Sequence, residues 1–358
     1  MRVIAHMRTA YYPSAFALSI VMAVASVGVS PALAQDHAFL SSYAILAHDP
    51  GTGQVGVAAA SRGLSVGSGV IGVETGLGAA VVQGSLDGRA VRRALEALRE
   101  GRGPDGAIAA ALGQNVGPVQ VGVLTASCQS SIHSVNGAYP PASTSGGDAE
   151  GICYLALGSL TATARVVRVM GSAFEGAVGP MSNRLIAALQ AAERLGGDIP
   201  ASESAALWIS APDAASGAFG RAELRLQIDG QQGAVAALAR LAARMEGDHL
   251  AGQAAEMIAA GQYGQAAVLA SGGTELDPQN SFVWMTYGRA LLFEGREEEA
   301  EEAFRRMLEL NPFLLLALGN PESGQPRAGV IPFSPRLLTR LKAYRKAFFP
   351  DADFAKQP

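Results

Sequence analysis

The sequence predicts an α+β domain of four layers, helices outside two antiparallel sheets (αββα), followed by an all-α module of helical repeats. Three observations carry this. Predicted strands come in blocks that alternate with pairs of helices, which disfavours a doubly wound parallel sheet. Runs such as VGVAAAS and GAAVVQ are small and apolar without strict alternation, as expected of strands buried on both faces. After residue 246 the period changes: Gly261 recurs as Gly295, Ala266 as Ala300 and Asp277-Pro278 as Asn311-Pro312, each 34 residues later.

In order along the chain, Arg2, His6 and Arg8 precede an apolar run at 15–29 and the segment Ser30-Pro31-Ala32-Leu33-Ala34. This is the three-part export signal, with cleavage expected after Ala34. At fifteen residues this run falls short of the roughly 20 needed to span a bilayer. Residues 1–34 are therefore expected to be removed, leaving no membrane segment and a chain that starts at Gln35 in the periplasm or the medium.

Strands are predicted at 42–47 and 55–61 as a hairpin, because Pro50 presets a turn and Gly51 and Gly53 permit positive φ. Two more follow at 69–73 and 78–83. Helices at 88–100 and 104–112 come next, the second opened by Pro104. Strands return at 119–125, 130–135 and 152–157, helices at 164–177 and 180–195, strands at 205–210 and 223–228, and a helix at 233–245. The α+β domain is assigned to 40–246.

The 34-residue period is that of tetratricopeptide repeats, assigned to 247–280 and 281–314; Trp284, Gly288, Ala300, Phe304 and Pro312 stand at signature positions of the second. Two repeats cannot bury a stable core alone. They are expected to pack on the preceding helix, on a final helix at 335–349 within the tail 315–358, or on another subunit.

Composition excludes several functions. Charged residues are 16% of the chain, against about 25% in average domains, and the net charge of −4 comes without a Lys/Arg cluster. Nucleic-acid binding, which rests on neutralising phosphates, is not expected. The histidines His6, His37, His48, His133 and His249 show no metal-ligand spacing, so no metal is expected, and no cofactor. Gly67-Ser68-Gly69-Val70-Ile71-Gly72 fits a nucleotide-binding string, but no helix follows to face a phosphate. In an oxidising compartment Cys128 and Cys153 are expected to form a disulfide closing about 25 residues.

The segment HDPGTGQVGVAAASRGLSVGSGVIGVETGLGAAVVQ at 48–83 carries Asp49, Pro50, Thr52, Gly53, Ser61, Arg62 and Gln83 in the pattern D-P-x-T-G, G-V-A-x-x-S-R and G-x-G-A-V-x-x-Q. With VQVGVLTA, AFEGAVGPMSNRLIAALQAAERLGGD and SAALWI, it resembles the Ntn-hydrolase-like family designated domain of unknown function 1028 over about 42–244. The resemblance implies the four-layer αββα fold. Two departures stand out. Where members carry R-G-x-Q-S and Q-G-N, this chain has IPASES at 199–204 and LGS at 157–159.

Ntn hydrolases attack an amide with the side chain of their first residue, whose α-amine, of reference pKa about 7.7–8.0, is the base. By the resemblance that residue is Ser42, with Ser61, Arg62 and Gln83 as partners: Ser61 and Arg62 lining a cleft, Gln83 polarising a carbonyl. Cleavage after Ala34 leaves Ser42 inside the chain, so a second cut would be required. Two functions follow. The preferred one is a non-catalytic binding or scaffold protein whose repeats recruit a peptide partner. The alternative is an amide hydrolase activated by processing at Ser42.

Overall fold

The computed structural model describes residues 42–84, 88–113, 119–135, 142–147, 151–198, 202–317 and 333–350. The export signal expected at 1–34 lies outside them, and so does the residue that precedes Ser42. The strands are β1 (Ser42–His48), β2 (Val55–Ser61), β3 (Ile71–Glu74), β4 (Gly78–Gln83), β5 (Val119–Thr125), β6 (Ser130–Val135), β7 (Ala142–Gly147), β8 (Cys153–Ser159), β9 (Ser204–Ser210) and β10 (Glu223–Ile228). The helices are α1 (Gly88–Arg99), α2 (Gly103–Leu112), α3 (Arg165–Gly176), α4 (Met181–Arg194), α5 (Ala234–Ala259), α6 (Tyr263–Leu276), α7 (Ser281–Phe293), α8 (Glu297–Leu310), the short α9 (Leu314–Ala317) and α10 (Pro335–Phe348).

The strands form two wholly antiparallel sheets, one of order β10-β9-β2-β1-β8-β7 and one of order β3-β4-β5-β6. The β1–β2 turn has the expected chemistry: Asp49 Oδ1 accepts the Gly51 N–H at 2.8 Å and Asp49 Oδ2 accepts the Thr52 hydroxyl at 2.7 Å. Side chains alternate between faces, and the apolar clusters show what each face meets. Tyr43, Ile45, Ala47, Ala58, Ala60, Tyr154 and Leu207 pack with Met170, Phe174, Leu185, Leu189 and Leu238 from α3, α4 and α5. The other face of the same sheet, including Ala44, Leu46, Val57, Leu155 and Leu157, packs with Ile71, Ala79, Val81 and Leu124 of the smaller sheet. Ala80, Val82, Val121 and Val123 meet α1 and α2 through Val91, Ala94, Leu98 and Ile108. Both faces of the central strands are covered, which accounts for their lack of alternation.

Strand β7 was not expected. Its sequence ASTSGG has no apolar pattern to signal a strand, and it lies at a sheet edge, held by pairing with β8. Helix α5 runs 26 residues, well past the expected end at 245. Glu246-Gly247-Asp248 reads as a break because helical Gly costs about 1 kcal/mol relative to Ala. The structure uses it instead for close packing: a Cβ on Gly247 would stand 3.2 Å from the Gly273 carbonyl oxygen of α6. The glycine string at 67–72, set aside as a nucleotide motif, ends in β3 and is followed by the strand β4.

The repeats share one core. Ala254 and Ile258 of α5, Ala266 and Ala270 of α6, Leu291 of α7 and Phe304 and Leu308 of α8 pack with Leu337 and Leu341 of α10. Ala254 and Ile258 belong to the first repeat itself, so of the partners expected for the pair it is the final helix, α10, that packs into this core, while 233–245 packs on the larger sheet. Among the described residues no helix is long and apolar enough to cross a membrane.

Candidate functional site

The inward face of the larger sheet ends in a row of serines. Ser42 of β1 pairs with Ser61 of β2 and Ser159 of β8, and Ser61 pairs with Ser204 of β9, so the spatial order is Ser159, Ser42, Ser61, Ser204. Their parity is that of Ala44, Leu157, Ala59 and Ala206, all of which face the other sheet. All four are buried. On the smaller sheet Gln83 of β4 pairs with Gln120 of β5, and Gln83 has the inward parity of Ala79 and Val81. Gln120 shares the parity of Gly122, whose Cβ would meet the Leu157 and Leu155 side chains across the seam.

Two links fix which ends coincide. The disulfide Cys128–Cys153 joins the β5–β6 turn to the start of β8, beside His48. At that end Thr75 and Ser210 also share a hydrogen bond of 2.6 Å. Gln120 and Gln83 lie at the opposite ends of their strands, which brings them to the serine row.

The groups in this seam differ in what they bond. The Ser61 hydroxyl accepts the Gly63 N–H at 2.9 Å. The Ser204 hydroxyl accepts the Val66 N–H at 3.0 Å and donates to the Gly63 carbonyl. Both therefore pin the segment that follows β2. By contrast Ser42 Oγ and both amide atoms of Gln83 and of Gln120 are buried with no hydrogen-bond partner. These residues are 3%, 1% and 1% exposed. Leaving such a group dry costs about 1–3 kcal/mol, so each is an explicit mark of an unmet polar contact.

Of the residues expected from sequence, the structure brings Ser42, Ser61 and Gln83 to one end of the seam. Arg62, just beyond β2, is exposed to solvent. Gln120, Ser159 and Ser204 were not singled out. The two departures from the family pattern, LGS and IPASES, were the available signal, since their final residues are Ser159 and Ser204. Gln120 sits in a run, VQVGVLT, where a lone polar residue among valines marks one inward-facing position of a buried strand.

Behind the row, on the helix side of β1, the buried Tyr43 hydroxyl donates to Glu193 Oε1 of α4. The Ser202 hydroxyl donates to the same oxygen at 2.8 Å. Burial first, then the Glu193 carboxylate, pushes the Tyr43 phenol well above its usual value of 10.0. Two surface clefts lie elsewhere, one of about 400 Å³ by Leu98, Thr125 and Gln129 and one of about 460 Å³ by Arg221, His249 and Glu256. Neither includes a residue of the serine row.

Two packed antiparallel sheets with polar ends facing each other, joined to helical repeats, define a mixed α/β protein with a repeat module. The chain belongs to the Family of unknown function (DUF1028), which it matches over residues 42–238, and residues 257–322 match the Tetratricopeptide repeat family. It is similar to a crystal structure of protein SPO2555 from Silicibacter pomeroyi, described as DUF1028, with 26% identity over 56% of this chain and 87% of that one and a TM-score of 0.48. No curated protein matches it.

Proposed function

We propose that the chain is an exported, non-catalytic binding or scaffold protein. Its domain at 40–246 is read as a four-layer, Ntn-hydrolase-like αββα shell that holds a ligand between its sheets. The repeats at 247–314, followed by the helical tail at 315–358, recruit a peptide. The observation that carries this is Ser42. Its hydroxyl is buried with no hydrogen-bond partner, so its activation would rest wholly on an α-amine that exists only after a second cut at Ser42. A serine hydroxyl without an adjacent base or free amine is a weak nucleophile. For the repeats, support comes from α7, where Phe282 is 41% exposed and Arg289 lies two turns further along the same face, its buried Nε without a hydrogen-bond partner. Export is supported by the 1–34 signal and by the Cys128–Cys153 disulfide, a bond that lasts in oxidising compartments.

The alternative, an amide hydrolase cut at Ser42, is favoured by one observation: Ser42 opens the central strand and faces the seam at the level of Gln83. The intact mass of the protein recovered from periplasm or medium separates the two. A chain beginning at Gln35 is expected. A chain beginning at Ser42 would overturn the non-catalytic reading.

A further inference from the structure

Five side-chain polar atoms at one end of the seam lack partners: Ser42 Oγ and both amide atoms of Gln83 and Gln120. Gln83 and Gln120 are opposite each other in register, which puts their Cβ atoms about 5 Å apart on one face. They do not bond each other. Each carboxamide offers two donor hydrogens and an acceptor oxygen, and Ser42 adds a group that can do either. A native fold does not leave so many buried groups unmet unless something polar completes them.

The charge of that occupant follows from its surroundings. The six residues that end the inner strands here, Ser42, Ser61, Ser159, Ser204, Gln83 and Gln120, are all uncharged. An ion buried among these six would find no counter-charge on any of them, and the loss of its hydration would go uncompensated there. Two carboxamides side by side match a molecular edge that carries one N–H and one C=O together, because donor then meets acceptor at both positions. We infer that the Gln83–Gln120 pair, with Ser42, is a binding site for a small neutral solute presenting a carboxamide, lactam or ureido edge. This names the ligand class of the seam in the reading above and rests on its placement of the site there.

The test uses the exported chain as recovered, with acetamide and 2-pyrrolidinone as probes. Acetate is the charged control, and N,N-dimethylacetamide is the control that lacks an N–H. The readout is the pair of side-chain amide NMR signals of Gln83 and Gln120, assigned by their loss in Gln83→Leu and Gln120→Leu. Both signals are expected to shift saturably with the two probes, and at least tenfold more of either control is expected to be needed for the same shift. Gln120→Asn, which keeps the carboxamide but shortens its reach, is expected to weaken the probes severalfold while remaining folded. Absence of any saturable shift in the folded wild type would overturn the inference, as would equal shifts with acetate or dimethylacetamide. The outcome is separable from the mass measurement: a start at Ser42 would remove the non-catalytic reading and leave an amide-recognising seam standing.

Discussion

Tyr43 and Ser42 are neighbours in sequence and opposites in environment, since alternation sends one to the helix layer and the other to the seam. The Tyr43 side chain is fully buried and bonded to Glu193, while the Ser42 hydroxyl is buried without a hydrogen-bond partner. Tyr43→Phe removes a hydrogen bond to a carboxylate and is expected to cost about 1.5–3 kcal/mol in urea unfolding at neutral pH. Its pH dependence has a definite sign. The folded-state value lies above the unfolded 10.0, so this stabilisation is fully present below pH 10 and is lost as pH rises from there through the folded value. Tyr43→Phe should flatten part of that alkaline decline. Tyr154, pushed up to about 12 by burial and then by its bond to Glu175, should leave a remainder. An unchanged alkaline profile in the variant would show that Tyr43 carries none of it.

The disulfide is the element that ties the two sheets by a covalent bond. It closes a separation of 25 residues, which on the chain-entropy model contributes about 3.5 kcal/mol. Cys128→Ser with Cys153→Ser is expected to lower urea stability by that amount, and reducing the wild type should match it. Elements were legible in the sequence where a physical signal was strong. The hairpin of β1 and β2 was announced by Pro50 and two glycines, and the repeats by a fixed period. Strand β7 was not, because an edge strand of Ser, Thr and Gly is held by its neighbour rather than by its own apolar face. The extent of α5 was hidden for a related reason: Gly247 looks like a stop and is a contact. At the candidate site, Ser42, Ser61 and Gln83 could be named one at a time. Their meeting with Gln120, Ser159 and Ser204 depends on the register of two sheets, which no single strand encodes.

At the scale of the whole molecule, α5 belongs to two cores at once. Its first half supplies Val235 and Leu238 to the sheet-covering core, and its second half supplies Ala254 and Ile258 to the repeat core. Across residue 246 the Arg244 Nε also meets Asp277 Oδ2 at 3.3 Å, and that carboxylate is almost wholly buried. A fragment 247–358 therefore loses the cation that faces Asp277 and half of the helix that carries its first repeat. It is expected to melt below the transition of the 35–358 chain, and calorimetry of that chain is expected to give a single transition. Two separate transitions would show that α5 transmits little between the cores.

A bond between the sheets at the Cys128–Cys153 end also makes the pair a lever. With that end fastened, a small rotation of one sheet against the other leaves His48 beside Cys153 nearly still and produces its largest displacement at the far tip, where Ser42 faces Gln83 and Gln120. Any such tilt would pivot on the crosslink, and the length of the strands from Cys153 to Ser159 would be the arm that carries it to the serine row.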